Sequence, residues 1–263
     1  MRVPGWRLVL WLAACSTSPV RAQAPATYAV GAIPIAAGGV DLEFPLAGDF
    51  RGQVGLSMVS QGTFDDHNPF AYLSAVSPTL WVHYDGVRNL RLSLAVQELW
   101  TLSIPPLRSP SGREDRLLAR GRLQQPFGSA AIYELAQLDL RRFDDAAGVS
   151  RIVVRPRFRL GVGFNLDAAR VHSLTTYQEV AFRFGDDAVA ARKLEFLRTF
   201  LGYGFTPRSG TFVTVGVFGQ ISLSPDGTSL TVFYGPALSI TYRAGLSARA
   251  AAARPEPPDP QIN

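Results

Sequence analysis

The chain has 263 residues, 47% of them hydrophobic, and a formal net charge of +5, a composition that excludes a chain disordered throughout. Its 26 basic residues, all arginine except Lys193, are dispersed through alternating segments and not gathered on one patch or helix, which argues against a nucleic-acid partner. Cys15 is the single cysteine, so an internal disulfide and a cysteine-built zinc site are both excluded.

The first 22 residues read as a signal peptide. Arg2 and Arg7 form a positive n-region, LVLWLAAC is a short apolar h-region, and Val20-Arg21-Ala22 predicts cleavage after Ala22. A rival signal is present: Leu12-Ala13-Ala14-Cys15 resembles a lipoprotein box with Cys15 as the lipidated residue. No later stretch approaches the roughly 18 consecutive apolar residues of a membrane helix. An exported chain of this kind is expected to be a soluble protein or a β-barrel.

Residues 23–243 are expected to form that barrel. Period-2 alternation predicts strands near 28–36, 40–46, 53–60, 71–84, 89–102, 113–124, 128–141, 151–164, 172–184, 193–205, 211–223 and 229–242. That is about 12 antiparallel strands, an even count as single-chain bacterial barrels require. A turn at Ala37 to Gly39 separates the first two. The long segments reach the roughly 9–11 residues of a transmembrane β-strand. With both termini on the periplasmic side, 61–70, 103–112, 142–150 and 185–192 become longer outer loops, and 85–88, 125–127 and 206–210 become short turns. Trp81, Tyr84, Trp100, Phe127, Phe143, Phe164, Phe184, Phe205 and Tyr242 stand near strand ends, as interfacial girdles require. Residues 244–263, rich in alanine, proline and arginine, are expected to be a disordered tail.

The stretch SRIVVRPRFRLGVGFNLD carries Arg155, Arg157 and Arg159 on one face and Val154, Phe158, Leu160, Val162 and Phe164 on the other. An arginine facing lipid at the midplane costs about 2–4 kcal/mol, so the arginines are expected to face the lumen. Asp139 and Arg141 share a face with Gln137, and Tyr177 and Glu179 share one with Arg183. These supply counter-charges for a cross-braced lumen. Arg157→Gln is accordingly expected to leave assembly nearly intact and to alter any anion preference, because one lumenal charge is lost.

The segments YELAQLDLRRFDD, RIVVRPRFRLGVGF, TTYQEVAFRF and RTFLGYGF resemble an uncharacterised bacterial family of outer-membrane-barrel proteins, domain of unknown function 2490. The resemblance covers roughly residues 130–205. It rests on Arg155, Arg157, Arg159, Tyr177, Glu179, Arg198, Gly202 and Tyr203, and it implies a membrane barrel with no known reaction. The last strand, with Gly235, Leu238, Ile240 and Tyr242, resembles the signal read by outer-membrane assembly machinery.

Chemistry-bearing motifs are scarce. His67, His83 and His172 form no ligand pattern, so neither a metal nor a cofactor is expected. His172 and Ser173 are adjacent strand residues and point to opposite faces, which precludes a nucleophile–base pair. The expected protein is an outer-membrane barrel in contact with membrane lipid, with a structural or solute-channel role. The alternatives are an outer-membrane lipid-modifying enzyme and a soluble or lipid-tethered periplasmic ligand-binding barrel.

Overall fold

A computed structural model of the chain describes residues 29–104, 111–144, 150–185, 194–207, 210–223 and 229–245. The predicted signal segment, with Ala22 and Cys15, and the tail beyond Gly245 lie outside the described residues. The described chain is all strand and turn: β1 Ala29–Pro45, β2 Phe50–Gln61, β3 Tyr72–Val87, β4 Leu90–Thr101, β5 Gly112–Phe127, β6 Ala130–Asp144, β7 Ser150–Asn165, β8 His172–Phe182, β9 Phe184–Gly185, β10 Leu194–Phe205, β11 Thr211–Leu223 and β12 Ser229–Arg243. No helix among the described residues is long and apolar enough to cross a membrane.

Eleven of these strands are the staves of one closed barrel. Each pairs antiparallel with its neighbours in chain order, β6 with β7 and β8 with β10 included, and β12 returns to β1. The short β9 lies past a break at Arg183 and pairs Val153 and Val154 of β7 with Gly185 and Phe184.

The expected even count is corrected here, because the predicted strands at 28–36 and 40–46 are one strand. Neither Gly38 nor Gly39 has a positive φ, so no turn forms at Ala37 to Gly39. The segment stays extended, pairing with β2 over Ile35–Pro45 and with β12 over Ala29–Glu43. In a ring of strands that alternate up and down, an odd number forces the first and last to run the same way. The β1–β12 seam is accordingly parallel.

The odd count also separates the chain ends. The short connections 46–49, 88–89, 128–129, 166–171 and 206–210 gather at the barrel end where β1 and β12 finish. The connections 62–71, 102–111, 145–149, 186–193 and 224–228, longer on average, join the strands at the end where β1 and β12 begin. Both ends of the barrel segment were expected on the short-turn side; only the end of β12 is there. The tightest turns use left-handed residues, Asn89 at φ 63° and Gly128 at φ 61°, as two-residue hairpins demand.

Burial is inverted relative to a water-soluble barrel. On β7, Arg155, Arg157 and Arg159 point inward at 2%, 2% and 3% exposure, while Ile152, Phe158, Leu160 and Phe164 stand outward and exposed. The outward rows of β2, β4 and β11 repeat this with Val54, Leu56 and Met58, with Leu92, Leu94 and Val96, and with Val215, Val217 and Ile221. Of the predicted end-of-strand aromatics, Phe127, Phe164, Phe205 and Tyr242 are exposed at the short-turn end, and Phe50 packs on Tyr84 with centroids 5.1 Å apart. Trp81 is a correction: it is an inward residue, 6% exposed. Phe143 is half-buried, with Arg183 over its ring.

The seam turns on Gly235, whose φ of +152° suits only glycine and whose added Cβ would meet the Ile35 carbonyl oxygen at 1.8 Å. Gly235→Ala is expected to cost more than the roughly 1–3 kcal/mol of backbone strain alone. Gly39→Ala, whose Cβ would sit 3.6 Å from the nearest atom, should change stability by under about 1 kcal/mol. Denaturant titration of the two folded variants checks the contrast.

Candidate functional site

The interior is built from inward positions of successive staves, and its chemistry is that of guanidinium and carboxylate. At its centre Glu179 on β8 accepts from Arg157 Nε at 2.7 Å through one oxygen. Its other oxygen accepts from both Arg159 Nε and Nη2, at 2.8 and 2.7 Å, charge-assisted bonds roughly twice as strong as neutral ones. Arg198 on β10 stands 3.9 Å from the same carboxylate. Asp139 on β6, wholly buried, accepts from Arg155 Nε at 2.9 Å and lies 3.7 Å from Arg157. Toward the long-loop end Glu114 binds Arg116 and Arg141, and Glu195 joins Arg141 and Arg155 at 3.1 and 3.5 Å.

Aromatic rings fill the space between these charges. Tyr177 stacks on Phe200 with centroids 5.1 Å apart, and Arg159 lies 4.2 Å over the Tyr177 ring. Arg120 lies 4.2 Å over Trp81. Such cation–π contacts gain strength away from water. The inward glycine at 161 makes room for this packing: a Cβ there would sit 2.2 Å from the Tyr133 ring. The same holds at Gly202 and Gly216 beneath Phe200.

A second cluster closes the short-turn end. Glu43 near the end of β1 accepts from Arg51 at 3.2 Å, Arg91 at 3.2 Å and Arg243 at 2.9 Å, so one carboxylate joins β1, β2, β4 and β12. Asp85 holds Arg51 and Arg91 as well, at 3.1 and 2.8 Å.

One layer further in, Gln53 Nε2 donates to Asp41 at 2.9 Å, which turns the Gln53 oxygen toward His83 Nε2, also at 2.9 Å. That oxygen can only accept, so His83 carries its proton on Nε2. In the neutral imidazole Nδ1 is then left to accept from Ser93 Oγ at 2.8 Å. Serine, imidazole, amide and carboxylate thus form a polarised chain with the order of a nucleophile, base and orienter. Ser93 and His83 are only 5% and 4% exposed, so the chain braces the barrel, and an acyl substrate would have to enter the core to reach it.

The predicted lumenal residues sit as follows. Asp139, Arg141, Arg155, Arg157, Arg159, Tyr177 and Glu179 are buried inside the barrel, and Arg183 is half-buried at the rim beside β9. Of the residues that carried the family resemblance, Arg198 and Gly202 point inward, while Tyr203 is exposed on the outer face. His172 and Ser173 do diverge. The His172 ring hydrogen-bonds Tyr203 and lies 5.4 Å from Phe205, and Ser173 Oγ bonds the Gly204 carbonyl. In the exposed 166–171 turn, Asp167 accepts the His172 and Val171 N–H groups, which holds its carboxyl below the usual carboxylate range. No cluster of three or more His, Cys, Asp or Glu side chains capable of holding a metal ion occurs among the described residues.

No family model matches the sequence, and no curated protein matches it. Among solved structures the chain is similar to the outer-membrane expressed OmpT of Vibrio cholerae, with 8% sequence identity and a TM-score of 0.36 over 69% of this chain. The chain spans 58% of that protein's length.

Removing one partner from a buried ion cluster strands the others, at a cost of about 3–5 kcal/mol. Glu179→Gln is therefore expected to destabilise the barrel by that amount. Glu195→Gln, at a carboxylate whose side chain is 17% exposed, should cost less than half as much. Unfolding midpoints of the two variants measured side by side test the ranking.

Proposed function

We propose that the chain is an outer-membrane β-barrel whose role is structural, with a charge-braced core in place of a water-filled pore. The observation that carries this reading is the inverted burial: aliphatic side chains face outward around the barrel while arginines, aspartate and glutamates sit inside at 0–8% exposure. A water-soluble barrel would gain by the opposite arrangement. A bilayer requires this one, with backbone groups satisfied by a closed ladder.

Further support comes from the ends. Exposed aromatics gather at the short-turn end, where Phe127, Phe164, Phe205 and Tyr242 stand. Trp100 stands outward near the long-loop end and donates to Glu98 at 2.6 Å. Tryptophan and tyrosine favour the membrane–water boundary. Short turns on one side and longer loops on the other are the asymmetry of such barrels, with short turns periplasmic.

The packed core favours a scaffold over a solute channel. It also changes what Arg157→Gln should do. Bound to Glu179 and 2% exposed, Arg157 is a core residue, and the substitution should weaken the fold by about 3–5 kcal/mol. Phe158→Arg places a charge on the outward face and should cost about 2–4 kcal/mol near the midplane.

Both variants can be folded into lipid vesicles and titrated with denaturant, and the wild-type barrel should resist carbonate extraction and migrate anomalously when unheated. Epitope tags placed before Ala29 and after Gly245 should be reached from opposite sides of the membrane. A harmless Phe158→Arg together with carbonate extraction would overturn the membrane reading. Large single-channel currents from the wild-type barrel in a planar bilayer would overturn the scaffold reading and restore the channel.

A further inference from the structure

The outer face carries a groove that the core does not use. Val54, Leu80, Val96, Leu117 and Leu140 are successive cross-strand partners from β2 to β6. With Ile152 of β7 they line a groove of about 830 Å³, within the range of about 300–1,000 Å³ common to ligand sites.

Two residues nearer the long-loop end, the outward row changes character. It reads Pro78, Glu98, Asp115 and Arg142, and all four line the same groove. Pro78 has no N–H to give to the ladder. The β3–β4 pairing passes from Val76↔Trp100 to Thr79↔Gln97 with Ser77 and Pro78 unpaired. Ser77 Oγ bridges that step to the Glu98 carbonyl at 2.8 Å, and inward-facing Gln97 and Arg116 also border the groove.

The charges of that row are unequally satisfied. Arg113 binds Glu98 at 2.5 Å and Asp115 at 3.5 Å. Arg142 is exposed, and its side chain has no hydrogen-bond or ion-pair partner among the described residues. An aliphatic trough thus runs to a single uncommitted cation, with Trp100 beside Glu98 marking the polar boundary.

We propose that this groove seats one acyl chain of an anionic diacyl phospholipid, with the lipid phosphate on the Arg142 guanidinium. The proposal rests on the membrane reading above. The aliphatic row takes the chain and Arg142, at the β6 end of the polar row, takes the phosphate; Asp115, its cross-strand partner, is engaged by Arg113, and Glu98, one stave further on, repels the phosphate from the β4 side. The site therefore holds the lipid in one orientation, which sets it apart from the unordered lipid that surrounds any barrel.

The experiment uses the full chain folded into detergent micelles, with phosphatidylglycerol added and bound copies counted by native mass spectrometry. One tightly held copy is expected. Arg142→Gln should weaken that copy about tenfold while leaving the binding of neutral diacylglycerol, which lacks the phosphate, unchanged. Leu117→Trp, which fills the trough, should abolish both. Val217→Trp, outward on β11 across the ring, should alter neither. If Leu117→Trp and Val217→Trp bind lipid like the wild type, or if Arg142→Gln weakens both lipids equally, the site is refuted while the barrel stands. A chain that fails to fold in micelles or vesicles brings down the membrane reading itself, and the groove with it.

Discussion

A guanidinium removed from water must meet a carboxylate at hydrogen-bonding distance or the fold loses several kcal/mol. The interior of this barrel is organised around that requirement. Glu179 answers arginines from β7 on one side and faces Arg198 on β10 on the other, and Asp139 answers β7 from β6. Four adjacent staves are thereby held in one register. A slip of one residue would exchange the faces of a strand and turn Arg155, Arg157 and Arg159 outward together. The charges that make the core costly to assemble also make every neighbouring register costlier still.

The outer face follows from the same constraint. With polar capacity spent inside, the outward positions of the same strands are left aliphatic, and charges return only at the ends, as with Glu98, Arg113, Asp115 and Arg142. Glu43 extends the principle to the closure. It ties Arg243 of the last strand to Arg51 and Arg91, so the short-turn end of the seam carries an ion cluster. Farther along the seam, Gly235 lets the two backbones approach.

Much of this was legible in sequence where side chains alternate strongly. The boundaries of β7, β11 and β12 fell within a residue or so of prediction because Arg–x–Arg and Val–x–Val runs leave no other period. The first strand was misread because Ala36, Ala37, Gly38 and Gly39 carry no polar–apolar contrast, and glycine signals a turn as readily as an extended close approach. Trp81 was misplaced because an aromatic near a strand end suits an interface and a core equally, and only facing decides. The Ser93–His83–Gln53–Asp41 chain had no signal at all. Its members come from four different strands, and the polarity depends on which way one amide is turned. Glu43 was hidden for a related reason: its partners lie as far away as Arg243, 200 residues along the chain.

That separation bears on the order of assembly. Every other stave pairs with its neighbour in sequence, so ten of the eleven ladders close small loops, whose entropy cost is low. The β1–β12 ladder alone joins opposite ends of the folding unit, and contacts of such span form late and slowly. Until then two strand edges stand open, each a template for pairing with a foreign chain.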